Sequence, residues 1–136
     1  PKIIAVTVLT SIDKEIMNTQ LRVPGEIKEQ VFHYSKLAFD AGLDGVVCSG
    51  SDLDGMTENL PKDFMYVTPG IKGPKTAAGK DQRRVLTPGK AIQAGASILV
   101  IGRAITGQKT QDERIQAGLD ILEDAEKYIN PKSASE

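Results

Sequence analysis

Apolar positions along the chain fall into two kinds of run, and the two kinds take turns. "KIIAVTVLT" (2–10) is apolar almost throughout and rich in β-branched residues, the mark of a strand covered on both faces. From about Pro24 the period changes to that of a helix, with Ile27, Val31, Tyr34, Leu37 or Ala38, and Ala41 on one face, and Gly42 ends it. "DGVVCS" (44–49) predicts a second strand, followed by a short helix near 51–59. "FMYVTPG" (64–70) predicts a third. Thr87 and Pro88 read as the cap and first residue of a helix running to Gly95. "SILVIG" (97–102) predicts the fourth strand, and a final helix near 111–129 carries Ile115, Leu119, Leu122, Ala125 and Ile129 at helical spacing. The tail "NPKSASE" is polar, and residues 131–136 are expected to be disordered.

Strict alternation of strand and helix predicts an α/β fold with a parallel sheet and helices packed outside it. "AGLDGVV" (41–47) and "AGASILV" (94–100) both run from helix end through a glycine into a strand. That is expected of repeated units, and of any two such junctions. Two architectures remain, an open doubly wound sheet or part of a closed barrel. A (β/α)₈ barrel takes about 250 residues, so four βα units need about 125. The chain has 136, and it enters a strand within two residues of Pro1, as though cut from something longer. A free four-stranded parallel sheet would leave two unpaired edges and a bare inner face. Half a barrel over residues 1–130, completed by another half, is therefore the expected organisation.

Composition narrows the function classes. A hydrophobic content of 40% and a charged content of 26% are those of a globular protein, and a net charge of −1 makes no case for nucleic acid or an anionic membrane. No apolar run approaches the roughly 20 residues of a membrane span, and the N-terminus lacks a signal peptide's design. A lone cysteine, Cys48, excludes an internal disulfide, suits a cytoplasmic location and reads as a small buried apolar residue. With one histidine besides, His33, a zinc site is not expected; His33 falls off its helix's apolar stripe and reads as exposed. Met17, Met56 and Met65 read as packing residues, and "EDAEKY" (123–128) as a charged outer face.

The strand ends carry the candidate chemistry. Strand one ends in Leu9-Thr10-Ser11, hydroxyls that meet a polar ligand or cap the following turn. Strand three leaves through Thr68-Pro69-Gly70, and strand four through Gly102-Arg103. Loops after the last two strands of a barrel often hold phosphate, using backbone N–H groups and a helix N-terminus. Gly102 permits close approach, and Arg103 supplies a donor fork matched to a dianion. Between them lies a connection of about sixteen residues where four to six are usual, containing Lys72, Lys75, Lys80, Gln82, Arg83 and Arg84. Basic and glycine-containing, it reads as a lid over that phosphate.

"AVTVLTS", "GLDGVVCS", "VTPGIK", "DQRRVLTP", "AGAS" and "VIGRAIT" occur in that order. Together they closely resemble the C-terminal half of bacterial orotidine 5'-monophosphate decarboxylase, over residues 2 to 129. The resemblance implies a ribulose-phosphate-binding type of (β/α)₈ (TIM) barrel, homodimeric, converting orotidine 5'-monophosphate to UMP and carbon dioxide without metal or cofactor. It implies that Thr10 holds the pyrimidine ring, Pro69 and Gly70 shape its pocket, Gln82 reaches phosphate and base, and Gly102 and Arg103 grip the phosphate. Lys72 stands where the bacterial pattern has Arg, keeping the charge and losing the fork.

One part of the pattern is absent. The family's acid–base array includes an Asp-x-Lys-x-x-Asp motif on its N-terminal half, and this chain has none. Asp13-Lys14-Glu15 has the wrong spacing and reads as a solvated turn. Asp52 and Asp54 have no lysine between them, and Ser51 reads as a helix cap. No catalytic residue is therefore expected in this chain. Its expected partners are the nucleotide and an N-terminal half-barrel or a second copy of itself. Two alternatives stay open: an inactive phosphate-binding half-barrel or self-associating scaffold, and a related sugar-phosphate decarboxylase or aldolase.

Overall fold

The computed structural model describes residues 1–75 and 86–129. The readings for Gln82 and for the 131–136 tail lie outside the described residues. Four strands, β1 (Ile4–Val6), β2 (Gly45–Val47), β3 (Met65–Thr68) and β4 (Ile98–Leu99), form one sheet in the order β1-β2-β3-β4. All three pairings are parallel. Sequential order decides between the two expected architectures. A doubly wound sheet reverses its strand order part-way, whereas a barrel adds each strand beside the last. The fold is that of four consecutive βα units of a barrel.

The helices are α1 (Ile27–Asp40), α2 (Pro88–Gln93), α3 (Arg103–Thr106) and α4 (Gln111–Ile129). α1 begins at a capping box between Glu26 and Glu29 and ends at Gly42, whose φ of 81° suits glycine. Thr87 caps α2 by accepting from the Lys90 N–H, with Pro88 in the first turn as expected. The regular strands are shorter than the apolar runs that announced them. β1 pairs through Val6 and continues with the Thr7 N–H donating to the Val47 carbonyl. The chain then turns, with the Ile12 N–H on the Leu9 carbonyl.

Four expectations are corrected. The helix expected near 51–59 is a single 3₁₀ turn, Gly50–Asp52, followed by turns through Gly55 at φ 82°. Its cap is Ser49, not Ser51: the Ser49 N–H and hydroxyl both donate to Asp52 Oδ2. On α1 the buried positions are Val31, Ser35 and Ala38, while Tyr34, Leu37 and Ala41 are exposed. Ser35 tolerates burial because its hydroxyl donates to the Val31 carbonyl at 2.8 Å. A turn of π-helix, Ile16–Gln20, follows the Asp13-Lys14-Glu15 turn and buries Met17. Lys14 there pairs with Glu26 in solvent.

The largest correction concerns α4. Of its expected stripe only Ala125 is buried; Ile115, Leu119, Leu122 and Ile129 are exposed. They belong to a wider pattern. The core packs one face of the sheet against α1 and the 50–60 turns, through Val31, Val46, Leu53, Met56, Phe64 and Tyr66. On the other face Val6, Val47, Val67 and Ile98 stand in register across all four strands. Val67 is 7% exposed, but the edge residues Val6 and Ile98 are 58% and 46% exposed. The inner face is thus apolar and is exposed at both sheet edges, as a half-barrel requires.

Candidate functional site

The carboxyl ends of the strands bring six of the seven expected residues to two adjoining cavities. β3 ends at Thr68, whose carbonyl accepts the Val100 N–H at 2.9 Å, and the chain leaves through Pro69 and Gly70. Gly70 sits at φ 76°, a left-handed turn that a side chain would strain. Beyond it the Lys72 N–H donates to the Leu86 carbonyl at 3.3 Å, so the two flanks of the long connection meet at its base. β4 leads to Gly102, and α3 starts at Arg103.

Between these two exits lies a cavity of about 680 Å³, lined by Pro69, Gly70, Lys72, Gly102, Arg103 and Gln108 among others. Among the described residues, two cationic side chains and no carboxylate line it. Both Lys72 and Arg103 are exposed. A cavity of this polarity suits a compact anion.

Across the Pro69-Gly70-Ile71 ridge lies a second cavity of about 160 Å³, with Thr10, Ser49, Ser51 and Leu86 on its wall. Among the described residues its walls carry hydroxyls and no cation. Ser49 Oγ donates to Asp52 Oδ2 at 2.8 Å, and it lies 2.7 Å from Ser51 Oγ. Because Asp52 takes the only Ser49 hydroxyl proton, Ser51 is the donor within that pair. The hydroxyls of Ser49 and Ser51 beside Thr10 give this cavity a polar wall that suits a ligand edge bearing hydrogen-bonding groups. Gly50 keeps this wall thin, since a Cβ there would stand 1.9 Å from Leu86 Cδ1.

Sequence reasoning assembled Thr10, Pro69, Gly70, Lys72, Gly102 and Arg103 and missed Ser49 and Ser51. The seventh residue, Gln82, lies outside the described residues. The missing signal for the serines was positional: both follow β2 directly, in the same place as Thr10 after β1. Cys48, beside them, is buried as expected. Burial pushes its thiol up to about 12, with the Asp52 charge adding to the effect. A thiol so placed is not a nucleophile. His33 is exposed on α1 beside Tyr34. Among the described residues no three His, Cys, Asp or Glu side chains are grouped to hold a metal ion, and no helix is long and apolar enough to cross a membrane.

Known proteins with this sequence pattern point one way. Orotidine 5'-phosphate decarboxylase of Nitrosococcus oceani is 49% identical over 106 residues, covering 78% of this chain and 45% of that protein. The enzyme of that name from Lactiplantibacillus plantarum is 41% identical over 122 residues, covering 90% of this chain and 50% of its own. The crystal structure of orotidine 5'-phosphate decarboxylase from Lactobacillus acidophilus superposes with a TM-score of 0.72 at 34% identity, covering 92% of this chain and 49% of that one. The chain spans about half the length of the curated relatives it matches. The sequence profile of the orotidine 5'-phosphate decarboxylase / HUMPS family matches residues 1–117, and the chain belongs to that family.

Proposed function

We propose that this chain is the ligand-binding half of an orotidine 5'-monophosphate decarboxylase. The observation that carries the proposal is the pair of cavities meeting at Pro69-Gly70, one cationic and one lined by hydroxyls. A nucleotide has the same division. Its 5'-phosphate goes to Gly102, Arg103 and Lys72, where charge-assisted bonds and the start of α3 meet it. Its pyrimidine goes to Thr10 and the serines beyond the ridge.

Decarboxylation breaks the bond from C6 to the carboxylate, releases carbon dioxide and leaves an electron pair on C6 that must then be protonated. That chemistry needs a positioned lysine among carboxylates. The sequence contains no such array, so this half binds and orients while a complementary half supplies the proton. The exposed apolar residues Val6 and Ile98 at the two edges of the sheet and the bare α4 stripe support closure by such a half. A phosphate grip in this half gives remote binding energy, which a decarboxylase uses at the reacting carbon.

A second reading follows from the same edges. Because the outer edges of β1 and β4 meet no strand among the described residues and all strands run parallel, a second copy could close the ring and give a phosphate-binding scaffold without turnover. Binding and size measurements decide. The decarboxylase reading expects UMP to bind more tightly than uridine and than ribose 5-phosphate, with Arg103→Ala removing most of the phosphate contribution. Equal affinity for ribose 5-phosphate and UMP would transfer the site to sugar-phosphate chemistry. A homodimeric ring that binds UMP and turns nothing over would support the scaffold.

A further inference from the structure

Behind the cationic cavity lies a smaller one of about 260 Å³, between the segment that follows Ile71 and helix α4. The two share Ala104 and Gln108 on their common wall. On the far wall Lys75 Nζ stands 2.7 Å from Asp120 Oδ2. The other oxygen of Asp120 accepts from Gln116 Nε2 at 2.9 Å. The Asp120 side chain is 13% exposed against 74% for Lys75, so the acid is set into the wall and the lysine reaches to it. Lys75 and Gln116 together hold the Asp120 carboxyl below its usual range.

One turn further along α4, Asp124 Oδ2 accepts the N–H of Gly89 at 2.8 Å. Gln116, Asp120 and Asp124 follow one another at intervals of four, which sets them on one side of α4. That side meets both flanks of the long connection between β3 and α2, at Lys75 where it departs and at Gly89 where it arrives. "EDAEKY" is therefore not simply a solvated face, since its Asp124 is engaged with α2.

We infer that Asp120 and Asp124 are positioning residues for the phosphate site. Through Lys75 and the Gly89 amide they fix the two flanks of the β3–α2 connection, and so set where Gly70 and Lys72 stand opposite Arg103. The flanks are already joined at the Lys72 and Leu86 backbone. Anchoring both to one rigid helix converts that joint into a fixed wall, and a phosphate then meets donors that need no ordering. This inference rests on the reading of the cationic cavity as a phosphate site.

The test uses this half assembled with its complementary half and carrying Asp120→Asn, Lys75→Met or Lys75→Arg. Asparagine keeps the shape and removes the charge; arginine keeps the charge on a side chain of similar reach. Affinities for UMP and for uridine are measured side by side, with KM and kcat for orotidine 5'-monophosphate. Asp120→Asn and Lys75→Met should weaken UMP binding and raise KM about three- to fivefold, the scale of an ion pair open to solvent on one side. Uridine affinity and kcat should hold within about twofold, because the phosphate does not react. Lys75→Arg should restore UMP affinity. Unchanged UMP affinity in Asp120→Asn, or an equal loss for uridine, would overturn the inference. Wild-type protein that fails to prefer UMP over uridine would instead overturn the phosphate reading. Amide hydrogen exchange across residues 70–75 then decides the tether by itself: faster exchange in Asp120→Asn supports it, and unchanged exchange sinks it.

Discussion

Replacing Gly89 with alanine should destabilise the protein although alanine is the better helix former. A Cβ at this position would lie 2.5 Å from Cδ2 and Cε2 of Tyr128 and 2.7 Å from the backbone carbonyl of Asp124. The Tyr128 ring can rotate away. The Asp124 carbonyl is part of α4 and cannot, so α2 must lift off α4. Overpacking of this kind costs about 1–3 kcal/mol. The helix-propensity gain of Ala over Gly returns about 1 kcal/mol at most. With a backbone atom in the way the clash belongs at the upper end, which leaves a net loss of about 2 kcal/mol. For a domain of this size that lowers Tm by about 6–10 °C. Lifting α2 also pulls the Gly89 N–H from Asp124, so UMP binding should weaken with stability. The assay is thermal unfolding followed by circular dichroism, with Gly118→Ala as control. Gly118 lies inside α4 and a Cβ there meets nothing within 4 Å, so the same change should stabilise, by up to about 1 kcal/mol. Equal shifts for the two variants, or a rise for Gly89→Ala, would refute the packing argument.

The remaining predictions follow from single side chains. Leu53 is fully buried in the cluster between the sheet and α1, so Leu53→Ala should cost about 2–5 kcal/mol in denaturant unfolding, with nucleotide affinity per folded molecule unchanged. Cys48 should resist thiol reagents until the protein unfolds. Its pKa is raised from 9.0 to about 12, so the folded state keeps a proton that the unfolded state releases. Stability from this group is complete below pH 9 and falls as pH rises from 9 towards 12, and Cys48→Ser should flatten that part of the alkaline melting curve. Lys72→Arg restores a planar fork beside Arg103 and should tighten UMP binding without changing uridine binding; a loss of UMP affinity would show that the point charge is what the site uses.

Much of the site could be read from sequence because its residues sit where the chain changes element. Pro69-Gly70 and Gly102-Arg103 interrupt apolar runs, and an interruption at a strand's carboxyl end is visible without coordinates. Ser49 and Ser51 carry the same positional signal, but a serine ahead of a helical pattern looks like a cap. Here Ser49 does both jobs, capping the 3₁₀ turn and lining the cavity. The anchors Asp120 and Asp124 were hidden for another reason. On a helix rich in charge, nothing local marks which acid meets a partner far along the chain, and Lys75 precedes Asp120 by three intervening elements.

Helical period marked apolar residues on α4 without marking which of them are covered. Ile115, Leu119 and Leu122 do share a side, yet α2 packs against the side bearing Ile121 and Ala125. A period reports that a face seeks cover, not which cover it finds. The same holds for β1 and β4, whose apolar residues are half-covered because their strands end the sheet. On α1 the stripe missed Ser35, a polar residue that satisfies itself by bonding back to Val31 and so passes as core. The 51–59 reading failed at Gly55, whose left-handed backbone stops a helix that the surrounding residues would otherwise allow.

The central claim, that this half grips a nucleotide whose chemistry is completed by another half, is tested most directly by decarboxylation itself. Orotidine 5'-monophosphate would be supplied to this half assembled with a complementary half that carries the lysine–carboxylate array, and to the same assembly with Arg103→Ala, with loss of substrate absorbance followed in time. The account predicts turnover that falls steeply in the variant, with product UMP and carbon dioxide in equal amounts. A folded protein that binds UMP yet leaves orotidine 5'-monophosphate intact, or one whose turnover ignores Arg103→Ala, would contradict it.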